Sequence, residues 1–323
     1  SNSGNAEAAV LNAGTIEANG GEVYLTGQAA QDVFAKVVNN TGVIEAARIE
    51  NKGGVIRLVG DGGDVFNSGS LVATSDDGQG GQIDVLGDRV ALVGDTSIDV
   101  SGVSGGGSVR IGGDYQGKNP VIKNASDTHI GSGVQIKANA LDSGDGGRVI
   151  AWADNGTAFH GSISAQGGSA AGNGGFVEVS GKETLVYRGG VTTEAANGKN
   201  GTLLLDPDDI IIANGPDGSG VNDLEVGDPD GTVAFADGGG TFTISEGALE
   251  DLSSNTNIEL RANNSISISD LTDNTLLLNQ TGSVSFQAGD GGFTMAAGDS
   301  ISMSGSGALE IDVTAAAGAS FRI

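Results

Sequence analysis

The sequence predicts an all-β fold, a right-handed parallel β-helix with three short strands per coil. Three observations predict it. A template of two glycines followed by alternating apolar and polar residues recurs along the chain, and each template position keeps the same residue class. Glycine accounts for 58 of 323 residues without a three-residue period, and aromatics for only 4%. The core must therefore be aliphatic, with glycines at the turns, and collagen is excluded.

The first strand of each unit is the clearest signal. It reads "GGEVYLTG" from Gly20, "GGVIRLVG" from Gly53, "GGQIDVLG" from Gly80, "GGSVRIGG" from Gly106, "GGRVIAWA" from Gly146 and "GGFVEVSG" from Gly174. Between the second glycines, at Gly21, Gly54, Gly81, Gly107, Gly147 and Gly175, the spacings are 33, 27, 26, 40 and 28. The two long spacings read as insertions in one repeating unit. One apolar column runs Val23, Ile56, Ile83, Val109, Val149, Val177, and a second runs Leu25, Leu58, Val85, Ile111, Ala151, Val179. Between them stand Tyr24, Arg57, Asp84, Arg110, Ile150 and Glu178, so the alternation has period two and one side of each strand faces water.

A second strand follows, as in "RVALVG" from Arg89 and "TLVYRG" from Thr184, and then a third. The third-strand columns are Ile16, Ile44, Leu71, Ile98, Ile163, Val191 and then Ala18, Ala46, Ala73, Val100, Ala165, Thr193. The small second column predicts a tight corner. Asn12, Asn40 and Asn67 precede this strand and should stack as a polar ladder. Such short strands cannot bury their apolar sides alone, but stacked coils can. About 9–11 coils at ~4.8 Å each would make a rod of about 45–55 Å. An antiparallel sandwich would not keep one residue class in register across six units.

Three regions follow from the pattern. Residues 1–214 are regular β-helix, 215–240 an acidic glycine-rich loop, and 241–323 a less regular continuation with a helical turn within 246–254. The stretch "GTLLLDPDDIIIANG" begins as a coil and is expected to break at Pro207.

Composition excludes several function classes. Fifteen basic against 41 acidic residues give a net charge of −26, which repels nucleic acid and anionic membranes. Cysteine is absent, which removes disulfides and thiolate metal sites. No apolar run is long enough to insert in a bilayer. The opening "SNSGNAEA" has no signal-peptide pattern and reads as an expression scar or a cut inside a longer protein.

The stretches "GGEVYLTGQAAQDVFAKVVNNTGVIEA", "GGSVRIGGDYQGKNP", "GDGGRVIAWADNGTAFHGSISAQGG", "GGFVEVSGKETL" and "GTLLLDPDDI" together resemble the filamentous-haemagglutinin-type exoproteins of the two-partner secretion pathway. The resemblance covers about three fifths of the chain. It implies an internal segment of a large, secreted, non-enzymatic adhesin at the bacterial surface or in a biofilm matrix. The implied partners are an exopolysaccharide or a host or bacterial surface glycan or receptor. A cognate outer-membrane transporter is also implied, engaged through a region outside this chain. Absence of disulfides and progressive folding of a solenoid suit such export.

The candidate ligand-binding residues are Tyr24, Tyr115 and Trp152. Tyr24 and Trp152 have outward parity on the first strand, where a ring on a flat sheet offers a sugar its apolar face. Alternatively, the insertion at 114–127 covers Trp152. Further insertions at 28–39 and 215–240 are the other expected functional loops. No catalytic residue, metal site or cofactor is expected. Asp61, Asp64, Asp206, Asp208, Asp209, Asp228 and Asp230 sit beside Gly or Pro and read as turn residues. His129 and His160, the two histidines, lie about one coil apart and could stack. Asn39, Asn124, Asn155, Asn200, Asn263 and Asn279 begin Asn-x-Ser/Thr sequons, which an asparagine-rich chain also yields by chance. The rival readings are a β-helical polysaccharide lyase or hydrolase and a purely structural spacer.

Overall fold

The computed structural model describes residues 8–19, 21–28, 36–46, 54–214, 243–314 and 320–322. The expected loop at 215–240, and most of the expected insertion at 28–39, lie outside the described residues. The chain coils as a parallel β-solenoid of about nine turns with three walls.

The first wall contains the first strand of every unit, among them Glu22–Gln28, Val55–Asp61, Gln82–Leu86, Ser108–Ile111, Arg148–Ala153 and Phe176–Gly181. Val23, Ile56, Ile83, Val109, Val149 and Val177 are in direct register, and the column continues through Leu203, Ile258, Val284 and Leu309. Most of these side chains are fully buried. Burying each one contributes about 1.5–3 kcal/mol relative to exposure, so a column through many coils is a large, evenly spread source of stability. The second wall stacks strands such as Val65–Asn67, Arg89–Leu92, Asp127–Ile130 and Gly156–Phe159. The third stacks seven short strands from Thr15–Glu17 to Gly190–Thr192. It includes Gln135–Lys137, which the sequence reading passed over because the insertion before it hides the repeat.

Two corner devices hold the walls together. Asn12 Nδ2 donates to Asn40 Oδ1 at 2.7 Å, and Asn40 Nδ2 donates to Asn67 Oδ1 at 2.6 Å, forming the expected ladder. Asn67 Nδ2 then donates to Thr96 Oγ1 at 3.4 Å. At the opposite corner the paired glycines let the third wall's carbonyls approach the first wall's backbone. A Cβ on Gly174 would overlap the Thr193 carbonyl oxygen and the Gly201 nitrogen. The double glycine is therefore a packing requirement, and a groove runs along this edge.

The regular order changes after the strand Thr202–Leu205. Pro207 ends that strand but does not break the coil: the Asp208 N–H donates to the Lys182 carbonyl at 3.0 Å, and Asp209–Ala213 joins the second wall. The later strand Thr243–Ser245 inserts between Thr184–Tyr187 and Asp209–Ala213, so one level of this wall is supplied out of sequence order. The expected helical turn spans Glu246–Glu250, with Ser245 Oγ accepting the Ala248 N–H at 3.2 Å. Among the described residues no helix is long and apolar enough to cross a membrane.

Candidate functional site

The outer face of the first wall concentrates charge and rings. Its central outward column runs Tyr24, Arg57, Asp84, Arg110, Ile150, Glu178, Leu204 and Glu259. Asp84 is almost completely buried, yet it accepts from Arg57 Nε at 2.9 Å, from Arg110 Nε and Nη2 at 2.8 and 2.9 Å, and from Gln82 Nε2 at 2.7 Å. A buried carboxylate is tolerable only with such a donor set. Tyr24 remains exposed, but the Arg57 guanidinium lies 5.2 Å from its ring centroid and so occupies one face. Its hydroxyl donates to Glu22 Oε2 at 2.7 Å, and this bond pushes its ionisation above the ordinary phenol value.

The insertion at 114–127 folds onto this face. Asp114 opens it by accepting the Tyr115 N–H at 2.8 Å and Asn119 Nδ2 at 2.7 Å. Burial alone would raise the Asp114 carboxyl; the bonds from Asn119, the Tyr115 N–H and Arg110 overcome it and hold the group below its ordinary value. Gln116 adopts the left-handed conformation, φ 54°, which a non-glycine residue enters only when its surroundings hold it there. Here its N–H donates to both carboxyl oxygens of Glu178 at 3.1 and 3.2 Å, and its side-chain amide donates to Asp206 Oδ2. Its Oε1 accepts from Lys118 Nζ at 2.8 Å.

This path corrects one of the three expected ligand residues. Trp152 is only 4% exposed and offers no face to solvent. Its indole packs beneath the insertion against Gly113 and Gly117, and its Nε1 donates to Asp154 Oδ1 at 3.1 Å. The ring anchors the insertion instead of forming a sugar platform. Tyr115, at 36% exposure, stands at the rim. Its ring meets Phe176 edge-on at 5.9 Å. The Arg148 guanidinium lies 5.0 Å from the Tyr115 centroid and 4.8 Å from that of Phe176. Tyr24 is several coils away, so the structure does not bring it to Tyr115.

Beneath Gln116 lies a carboxyl pair. Glu178 is fully buried, and burial raises it to about 8; the neighbouring Asp206 charge adds to this, while the Gln116 N–H, Arg148 and Ser180 oppose it. Asp206 is also raised by burial, against opposing effects from Gln116, Arg261 and Lys118, and its Oδ1 has no hydrogen-bond partner among the described residues. Glu178 therefore carries its proton at neutral pH. The sequence reading put Glu178 in the outward column and Asp206 in a turn, but nothing in the repeat announced that Gln116 closes over both.

The remaining candidates are quieter. Asp208 accepts from Asn263 Nδ2 at 2.9 Å, and Asp209, which opens the strand Asp209–Ala213, from Asn264 Nδ2 at 2.8 Å and the Ser265 N–H at 3.1 Å; these bonds tie one coil to the next and are not the local turn bonds expected. Asp228 and Asp230 lie outside the described residues. His129 and His160 come close, with centroids 5.9 Å apart, but do not stack as expected: the rings are tilted 37° to one another, and the register places Ala158, not His160, over His129. His129 is buried with neither ring nitrogen hydrogen-bonded among the described residues, and burial, then His160, lowers it to about 4, so it is neutral. Among the described residues no group of three or more His, Asp or Glu could hold a metal ion.

The double-glycine corner forms a groove beside these groups. It encloses about 650 Å3 and is lined by residues that include Gln82, Ser108, Arg148, Phe176, Asn200 and Thr202. No family model matches this chain, and no curated protein matches it.

Proposed function

We propose that the chain is a non-enzymatic segment of a secreted bacterial surface or biofilm-matrix adhesin, a stiff rod that mediates carbohydrate or cell-surface attachment or cell–cell aggregation. The observation that carries this reading is the column from Val23 to Leu309, stacked without a break across ten levels of the first wall. Such a ladder places backbone hydrogen bonds along the long axis and exposes extended faces, which suits spacing and display. The resemblance of the repeats to filamentous-haemagglutinin-type exoproteins supports the same reading, as do the absence of cysteine and the net charge of −26. Export would use a cognate outer-membrane transporter that engages a region outside this chain.

A second reading, a polysaccharide hydrolase or lyase, is favoured by one observation: Glu178 is held protonated at neutral pH beside Asp206, as a general acid would be, although Gln116 would have to swing away before a substrate could reach it. One experiment separates the two. The chain is immobilised and exposed to a polysaccharide panel and to bacterial cells, and both retention and newly released reducing ends or unsaturated products are measured. Retention without product is the expected result. Product formation that is lost in Glu178→Gln would replace the adhesin reading with the enzymatic one.

A further inference from the structure

We infer that the groove along the double-glycine corner binds a glycan carrying isolated carboxylates, and that Arg148 pairs the carboxylate. This rests on the attachment reading above and narrows it to a ligand class and a site.

Arg148 differs from its neighbours. Arg57 and Arg110 share Asp84, Arg89 holds Asp64, and Arg261 holds Glu259. Arg148 is exposed, and among the described residues its guanidinium makes no ion pair and donates no hydrogen bond; its contacts are the rings of Tyr115 and Phe176. Those rings steady the side chain and leave its N–H fork open to water. A planar guanidinium so held matches a carboxylate with two parallel hydrogen bonds.

The groove supplies the rest of a sugar site. Its lining reaches from Val55 to Thr202, six levels of the solenoid, which spans about 24 Å at ~4.8 Å per level. Gln82, Ser108, Asn200 and Thr202 offer donors and acceptors for hydroxyls, and Phe176 offers an apolar ring. The net charge of −26 repels a densely charged polyanion, so the carboxylates must be separated by neutral sugars.

Two carboxyls stand near this site: Asp145, which lines the groove and accepts from the Asn173 N–H at 2.7 Å, and Glu178, whose charge interacts with Arg148. Glu178 is faced by Asp206 and Arg148, by the Gln116 N–H and by Ser180, with Arg261, Lys118 and Glu259 grouped around Asp206. Because burial keeps Glu178 protonated at neutral pH, the guanidinium charge stays available to a ligand. Ionisation of Glu178 above about pH 8 would supply a competing negative charge.

The test uses the full chain and calorimetry with three probes: a hexasaccharide alternating glucuronate with N-acetylglucosamine, its carboxyl-reduced counterpart, and polygalacturonate. The native hexasaccharide should bind at least tenfold more tightly than the reduced one, and more tightly than polygalacturonate. Arg148→Ala should abolish the difference while circular dichroism and melting stay unchanged, and Arg148→Lys should retain part of it. Wild-type affinity should fall severalfold between pH 7 and 9, but not in Glu178→Gln. Equal binding of native and reduced probes, or unchanged binding in Arg148→Ala, overturns the inference. If neutral glycans or cells are still retained, only this inference fails; if nothing is retained, the attachment reading fails with it.

Discussion

Raising the pH above neutrality should loosen the insertion at 114–127, because it forces a charge onto Glu178 where no water can reach it. The carboxyl titrates at about 8 in the fold against 4.5 ordinarily, and burial is the main cause. Between those values the folded chain holds a proton that the opened chain has released. The contribution is therefore complete below about pH 4.5 and declines as pH rises through about 8. From pH 6.5 to 8 the loss is about 1.6 kcal/mol, at ~1.4 kcal/mol per pH unit falling to half of that at pH 8, where the folded carboxyl is half-ionised. Asp206, raised by the same burial, adds with the same sign. The structure locates where the loss falls: Gln116 bonds to both carboxyls and ties the insertion to the wall. Local opening should become about 15-fold more populated over this window, the equivalent of that energy. Hydrogen exchange followed by mass spectrometry on peptides covering 114–127 measures it, once the intrinsic rise of exchange with pH is divided out. In Glu178→Gln the loss of protection should be much smaller, with only the Asp206 contribution left. Constant protection of the wild type, or the same loss in the variant, would refute the reasoning.

Acid should weaken the second wall by the opposite route. His129 is lowered from 6.5 to about 4, so the unfolded chain takes up a proton that the fold refuses, and stability is lost as pH falls between those values. The loss approaches about 3 kcal/mol; His129→Phe should remove this dependence in thermal melts, and a variant that melts earlier at pH 4.5 just as the wild type does would contradict it. Gly174→Ala should cost about 1–3 kcal/mol or more through backbone overlap, whereas Gly190→Ala should be near neutral, since a Cβ there meets nothing within 4 Å. Urea melts of the two variants side by side check this, and equal midpoints would remove the packing explanation of the double glycines.

The coil itself was readable from the chain because every term that builds it is local or reaches one repeat away. Period-two alternation sets which side of Ile56 or Ile83 is buried, and recurrence at about one coil sets what lies above and below. The Asn12–Asn40–Asn67 ladder belongs to the same class, a side chain meeting its own equivalent. Pro207 was misread because a proline stop and a solenoid corner look alike until the next strand finds its wall. The level filled by Thr243–Ser245 could not be foreseen, since strand order in a parallel wall is not encoded in the strand.

Tertiary structure alone decided the site. Outward parity made Trp152 look available, but exposure depends on where an insertion from the preceding coil lands. Gln116 meets Glu178 across 62 residues and Asp206 across 90. No repeat spacing predicts contacts of that length. They arise because stacking brings three coils of the first wall beneath one irregular turn, and that turn, rather than any motif, withholds water from the two carboxyls and leaves Arg148 uncovered at its edge.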